Sequence, residues 1–435
     1  MKLNRLTTLI MIAMVLGIIV GYACNTLAIS PAQAKEIASY FGILTDIFLR
    51  LIKMIIAPLV FATLVSGLAG MGDSKAVGRI GAKALGWFVG ASICSLALGL
   101  VFANLLQPGA NLGVPLPEVG SVVGLKTSAL NLKDFITHVF PKNIFEAMAA
   151  NEILQILVFA VFFGLALGHI HNQAARSLVS TMEEVGHVML KVTDYVMRFA
   201  PIGVFGAVAG IITTQGLGML LVFGKLLMGF YITLAVLWLV LILAGYFVLG
   251  KDVFRLLKLV RSPMLLGFST ASSESAYPKL MEQLEKFGIR DRITGFVLPL
   301  GYSFNLDGSM IYTTFAALFV AQAYGIELSL TTQITMLLVL MISSKGIAGV
   351  PRASLVVVAA VLPMFNLPEA GLLLILGIDH FLDMGRTATN VLGNAIATAV
   401  VAKWENAIDA VDDTLAEADA ALPITDDDLV IARAA

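Results

Sequence analysis

Residues 377–394, GIDHFLDMGRTATNVLGN, decide how this chain is read. They lie within an apolar run from Leu372 to Ala402, long enough at about 1.5 Å of rise per residue to cross a bilayer as one helix. Into that run the sequence places Asp379, Asp383, Arg386, Asn390 and Asn394. At about 100° per residue these five fall within roughly 80° of one another, so a helix gathers them into one polar stripe. An ionisable group at membrane depth costs roughly 2.5–3.5 kcal/mol on insertion scales, and such groups mark binding sites and pathways. Two readings follow: an ion-pair network that joins helices, or a site for a charged solute.

The rest of the chain agrees with a membrane setting. Hydrophobic residues make up 58% of the 435, charged residues 13%, and the mean hydropathy is +0.91. A soluble chain carries about a quarter charged residues. The apolar runs are long and continuous rather than short alternating segments, so the spanning elements are helices and not barrel strands. The net charge of −1 gives nucleic acid no attraction. Cys24 and Cys94 sit in apolar runs and read as packing residues, neither a disulfide nor a metal site. His169 and His171 read as a loop pair at the membrane surface, and no metal or other cofactor is implied.

Spans are expected over about Leu6–Ala28, Tyr40–Met71, Ala82–Leu106, Ile144–Gly168 (interrupted), Met189–Thr213, Met219–Leu249, Thr294–Tyr324 and Leu372–Ala402. Residues 107–142 read as an extramembrane loop. Lys75, Arg79, Lys83, Arg176, Lys251, Arg255, Lys258 and Arg261 fall on the side of the N-terminus, whereas the short opposite loops at 214–218 and 325–331 hold no Lys or Arg. That asymmetry puts both termini in the cytoplasm. Arg50 and Lys53 stand inside the second span, able to snorkel or to face protein.

Two segments do not read as simple spans. Ser262–Lys286 has a short apolar limb, about Pro263–Phe268, then the polar knot Ser269-Thr270-Ala271-Ser272-Ser273-Glu274-Ser275. Basic residues at both ends belong in the cytoplasm, so the segment reads as a re-entrant hairpin with its tip at mid-depth. Thr332–Phe365 is a second hairpin, broken at Ser343–Arg352. The seventh span is itself broken at Asn305-Leu306-Asp307-Gly308. Paired hairpins and broken spans form a pseudo-repeat of the kind that secondary transporters place around a mid-membrane site. The fold class is all-α, with eight transmembrane helices, two re-entrant hairpins and inverted repeats. Arg386 beside Asp383 suits a zwitterion with a second carboxylate, since Arg pairs carboxylates in a bidentate fork and Asp accepts an ammonium.

From about residue 3 to 405 the chain resembles the dicarboxylate/amino acid:cation symporters, the glutamate transporter family. The resemblance rests on the serine-rich knot, Asn305–Gly308, Gly346-Ile347-Ala348-Gly349-Val350-Pro351 and Asp383–Asn390. It is strongest toward the bacterial proton/glutamate symporters. It implies a multi-pass protein of the bacterial inner (plasma) membrane, a homotrimer among lipids, and an elevator mechanism. Residues 1–81 and 108–217 would form the scaffold, with an extracellular loop in the latter. Residues 82–107 and 218–405 would form the transport domain, and 406–435 an acidic cytoplasmic tail. The second hairpin would be the extracellular gate. Arg386 would hold the side-chain carboxylate with Ser309 nearby. Asp383 and Thr387 would take the amino group, and Asn390, Ser273 and Val350 the α-carboxylate. Plain dicarboxylate carriers lack the acid at Asp383, which tilts the substrate toward L-glutamate and L-aspartate.

The coupling cation is read from departures. Sodium-coupled relatives place a carboxylate at Asn394 and a Thr at Ala91, so oxygen ligands are lost here. Ser303, Asn305, Asp307, Asp379 and Asn394 remain a candidate cation site. Glu274 stands where many relatives have Ser, which makes it the expected proton carrier, whereas the seventh-span Glu of mammalian relatives is matched here by Thr313. The other reading pairs Glu274 permanently with a cation such as Arg386 or Arg352. Sodium coupling and a C4-dicarboxylate cargo are the alternatives within transporters. An intramembrane aspartyl protease, an enzyme, would need two facing carboxylates sharing a proton, which Arg386 opposes. A channel would not show saturable counter-flow, and a non-transporting receptor would bind glutamate without moving it.

Overall fold

The structure is a computed structural model that describes residues 5–71, 74–110, 116–117, 137, 139–170, 172–216, 223–344 and 353–409. In chain order the helices are α1 (Arg5–Leu27), α2 (Pro31–Met71), α3 (Ser74–Leu106), α4 (Ile144–Ala150), α5 (Ile153–His169), α6 (Gln173–Met197) and α7 (Ala200–Gln215). There follow α8 (Gly224–Leu249), α9 (Asp252–Thr270), α10 (Ser273–Lys286), α11 (Asp291–Phe304), α12 (Asp307–Ala323), α13 (Leu330–Ser343), α14 (Ala353–Val361), α15 (Leu372–Leu376) and α16 (Asp379–Trp404). Among the described residues there is no strand, only the isolated bridge Ile289–Ile408. Val350, Arg352, the centre of the second hairpin and the tail beyond 409 lie outside the described residues.

Among the described residues four helices, within α1, α2, α3 and α8, are long and apolar enough to cross a membrane, and α6 with α7 forms a fifth candidate bent by 51°. The bend falls at Arg198–Phe199, just before Pro201, whose ring cannot continue the preceding helix without loss. α16 has the length of a span but carries Asp379, Asp383 and Arg386. α1 leaves Leu9, Ile12, Leu16 and Ile19 exposed, and α8 leaves Leu239, Leu243 and Phe247. In a bilayer these meet lipid tails at no cost.

Several boundaries differ from the sequence reading. The first limb of the first hairpin is α9, from Asp252 and not about Pro263. Its Val253, Leu256, Val260 and Pro263 recur at helical spacing and are buried, so an amphipathic charged half joins the apolar one. The last span is not continuous from Leu372: a break at Gly377–Ile378 separates α15 from α16, and Asp379 opens the latter. The second span begins at Pro31 and the third at Ser74, both earlier than the apolar runs alone suggest. The expected interruption of the fourth span falls at Asn151, in left-handed conformation with φ 54°.

Two sets of helices pack most heavily among themselves. α2 lies against α5, α6 and α7, with α1 on α7. The approach is close enough that a Cβ on Gly203 of α7 would stand 2.6 Å from the Phe48 ring of α2. The second set is centred on α16, which contacts α8, α9, α10, α11 and α12, while α3 lies along α12. The seam between the sets is made chiefly by α10 and α11 against α2.

The end of α16 is tied down on the side where basic residues collect. Glu405 accepts hydrogen bonds from Arg79 (2.8 Å) and Lys83 (2.7 Å) of α3. Asp409 pairs with Arg290 at 2.7 Å, and the backbone of 407–409 bonds to Gly288 and Arg290. The hydrogen bonds from Arg79, then those from Lys83, hold the Glu405 carboxyl down at about 2 against its ordinary 4.5. A depressed carboxyl contributes stability that is complete above the ordinary value and fades as pH falls toward the depressed one. Glu405→Gln is therefore expected to lower the melting midpoint in detergent at pH 6 by about 2 °C, the scale of a screened ion pair. The gap to wild type should narrow progressively below pH 4.5. A gap that stays constant with pH would assign Glu405 no electrostatic role.

Candidate functional site

The site begins at a broken helix. Between α11 and α12, Asn305 and Leu306 leave helical geometry, freeing the first amides of α12. Inside a bilayer those amides need partners from protein. Asn390 of α16 supplies one: its Oδ1 accepts from Gly308 N (2.8 Å) and Ser309 N (3.4 Å), while its Nδ2 donates to Ser309 Oγ (3.2 Å). Gly308 is the only residue type that fits, because a Cβ there would collide with the Arg386 carbonyl. Asn390 thus caps α12 from a neighbouring helix and is nearly wholly buried.

One turn earlier on α16 sit the charges. Arg386 forms an ion pair through Nε with Asp383 Oδ1, and its other nitrogens reach Ser309 Oγ (3.3 Å) and Thr387 Oγ1 (3.4 Å). α16 is held in register by α8, where Tyr231 Oη donates to the Phe381 carbonyl (2.6 Å) and Trp238 Nε1 to Thr389 Oγ1 (2.8 Å). Arg386, Asp383 and Asn390 line a cavity of about 370 Å3 together with Ser309 and the hairpin-tip residues Ser272, Ser273 and Glu274. Ser344 and Ser354, either side of the undescribed centre of the second hairpin, also reach it.

The first hairpin tip is strained and well tied. Ala271 adopts φ 49°, a left-handed conformation that costs an alanine roughly 1–2 kcal/mol. Thr270 and Ser275 hydroxyls meet at 2.7 Å across the tip, and Tyr302 Oη of α11 donates to the Ser273 carbonyl (3.0 Å). Glu274 is the second residue of α10 and points into the cavity. Its Oε2 lies 3.2 Å from Lys53 Nζ of α2. The cation it meets among the described residues is thus neither of the two the sequence suggested.

The candidate cation residues divide. Ser303 Oγ, both amide atoms of Asn305 and Asn394 Oδ1 are buried without a hydrogen-bond partner among the described residues. Gly301 and Gly393 make room for them: a Cβ on the first would strike Asn394 Oδ1, and one on the second Asp307 Oδ2. Asp307, Asn305 and Asn394 therefore cluster around the helix break, a set of oxygens of the kind a hard cation takes as ligands. Asp379 does not join it. Fifteen residues before Asn394 on one helix, it lies about 22 Å away along the axis and accepts a 2.5 Å hydrogen bond from Tyr312 of α12.

Residues 6–404 match the sodium:dicarboxylate symporter family. The chain belongs to that family. It is 40% identical over 411 residues to the proton/glutamate-aspartate symporter of Escherichia coli (strain K12), covering 92% of this chain and 93% of that protein. Likewise it is 40% identical over 402 residues to the proton/sodium-glutamate symport protein of Bacillus caldotenax, covering 91% and 93%. Over 372 residues, 84% of each chain, it is 43% identical to the C4-dicarboxylate transport protein of Laribacter hongkongensis (strain HLHK9).

This symporter is a transporter and not an enzyme. Its cavity also has a wall that no polar motif announces: Leu49 and Lys53 of α2, Ile153 of α5 and Ile211 of α7. Those residues come from the other set of helices, so the site lies on the seam. The charge of Lys53 inside an apolar span was the available signal. His380 lines the cavity as well, hidden in the sequence beside the more conspicuous Asp379.

The cap on α12 gives a direct test. Gly308→Ala should push α12 off the Arg386 carbonyl and cost about 1–3 kcal/mol, lowering the melting midpoint in detergent by several degrees. A midpoint equal to wild type would mean that the two backbones are not in contact.

Proposed function

We propose that this symporter imports L-glutamate and L-aspartate together with protons. The observation that carries the reading is the placement of Asp383 and Arg386 side by side in the cavity, an anion and a cation one turn apart. A zwitterionic diacid presents the matching set: its distal carboxylate faces Arg386 and its ammonium faces Asp383. Ser309 and Thr387 flank the guanidinium. Ser273 at the hairpin tip and backbone near Val350 take the α-carboxylate, next to Asn390, whose own amide orients Ser309. The name of the Escherichia coli relative supports this cargo and this ion.

Glu274 carries the proton. It faces the cavity on the first hairpin and is placed to take up a proton when a substrate carboxylate arrives. The working division is a scaffold of residues 1–81 and 108–217 and a transport domain of 82–107 and 218–405, supported by the way α16 gathers α8–α12 while α2 gathers α5–α7. The transport domain moves as an elevator past α2, in a homotrimer of the inner membrane whose protomers each have eight spans, two hairpins and cytoplasmic termini. Basic residues on one side support that orientation.

A second reading, a C4-dicarboxylate carrier, is favoured by the name of the Laribacter relative. Substitutions separate the two. Arg386→Ala should lower glutamate and succinate uptake alike by more than about 100-fold, since a carboxylate stripped of its partner in the site loses several kcal/mol. Asp383→Ser should abolish glutamate uptake yet spare or raise succinate uptake. Equal loss of both in Asp383→Ser would assign it a structural role.

The coupling ion is read in proteoliposomes. A pH gradient should drive labelled glutamate accumulation without sodium, and Glu274→Gln should lose that accumulation while keeping glutamate exchange. Uptake that needs sodium and ignores the pH gradient would instead favour the cluster at Ser303, Asn305, Asp307 and Asn394 as a sodium site.

A further inference from the structure

The charge that faces Glu274 comes from the stationary side of the proposed elevator. Lys53 belongs to α2, in the helix set made of α1, α2, α5, α6 and α7, whereas Glu274 belongs to α10 in the set gathered by α16. Both side chains open into the substrate cavity, Lys53 45% exposed and Glu274 21% exposed. An ion pair that bridges two bodies which must slide apart is a restraint on sliding. An ammonium carried inside an apolar span is costly unless it is used.

We propose that Lys53 is the positioning residue for proton coupling: it forms a latch with ionised Glu274 that holds the empty transport domain against the scaffold. Proton binding converts the Glu274 carboxylate to a neutral acid and dissolves the ion pair. Lys53 keeps its charge and is solvated by the cavity, while the proton travels on the hairpin with the substrate. The latch rests on the reading of Glu274 as the proton carrier and adds to it a reason why the domain leaves this position protonated and, once the proton is released on the other side, is drawn back as the ionised carboxylate re-forms the pair.

The surroundings of Glu274 leave Lys53 in this role. α11 presents Tyr302, whose hydroxyl donates to the Ser273 carbonyl. α16 presents Asp379, His380, Asp383 and Arg386 around the same cavity, with Arg386 paired to Asp383. α9 contributes the hydroxyls of Ser269 and Thr270, which bond to its own carbonyls. On α6, Asp194 faces Lys279, which also pairs with Glu282 at 2.5 Å, further along α10. Lys53 is the cation bonded to Glu274 among the described residues.

The test uses full-length protein in proteoliposomes with initial rates of L-glutamate uptake measured from pH 5 to 9. A carboxylate that loses a neighbouring ammonium binds its proton at higher pH. Lys53→Gln should therefore move the midpoint of the pH profile upward by about one unit, with the glutamate KM changed less than about threefold. Lys53→Arg should restore the wild-type profile. In a Glu274→Gln background, Lys53→Gln should change nothing further, because the two act as one unit. If Lys53→Gln does not fold, the swap of Lys53→Glu with Glu274→Lys carries the test. It rebuilds an ion pair but leaves the carboxylate on the scaffold, so it should exchange glutamate and lose pH-driven accumulation.

A Lys53→Gln profile identical to wild type, an equal effect of Lys53→Gln with and without Glu274, or pH-driven accumulation by the swapped pair would each overturn the latch. Those outcomes leave the proposed function standing. A wild-type protein indifferent to the pH gradient would instead fail the proton reading itself, and the latch with it.

Discussion

A helix that stops inside a bilayer releases peptide groups that neither water nor lipid can receive, and the core of this protein is arranged around that constraint. At the break between α11 and α12 the released amides of Gly308 and Ser309 are taken by one side-chain carbonyl, Asn390 Oδ1. This bond fixes the distance between α12 and α16. That in turn puts Ser309 beside Arg386 and leaves no room for any side chain at position 308. The polar stripe and the broken helix are two halves of one device. Neither would be tolerated at mid-depth without the other.

The same economy governs the charges. Arg386 and Asp383 neutralise each other within one turn of helix, so this pair brings both signs into the cavity without net charge. Asp379 is satisfied by the Tyr312 hydroxyl, and Glu405 by two cations just past the end of α16. Glu274 is different. Its partner is Lys53, on a helix that packs with another group of helices. A carboxylate satisfied across a seam is satisfied only while the seam stays in place.

Much of this was legible in the sequence. The breaks at Asn305–Gly308, at Ala200-Pro201 and at the serine-rich tip are written in residues that interrupt helices for known local reasons. The stripe from Asp383 to Asn394 follows from helical period alone. Less was legible where apolar content and helix length part company. The charged half of α9 is helical because a neighbour buries its Val253, Leu256 and Val260, and the run from Leu372 is broken at Gly377–Ile378 although the residues from Leu372 up to the break are all apolar.

The sequence by itself determined the membrane setting, the helical class, the helix breaks and the chemical types present in the site, because these depend on composition and on periods of a few residues. Only the tertiary structure decided which polar group answers which. It gave Asn390 to the freed amides of α12 and the Tyr312 hydroxyl to Asp379. It also set Lys53 against Glu274 across 221 positions of chain. Such pairings depend on how helices pack around one another, and packing is decided by the whole interior at once rather than by any local stretch.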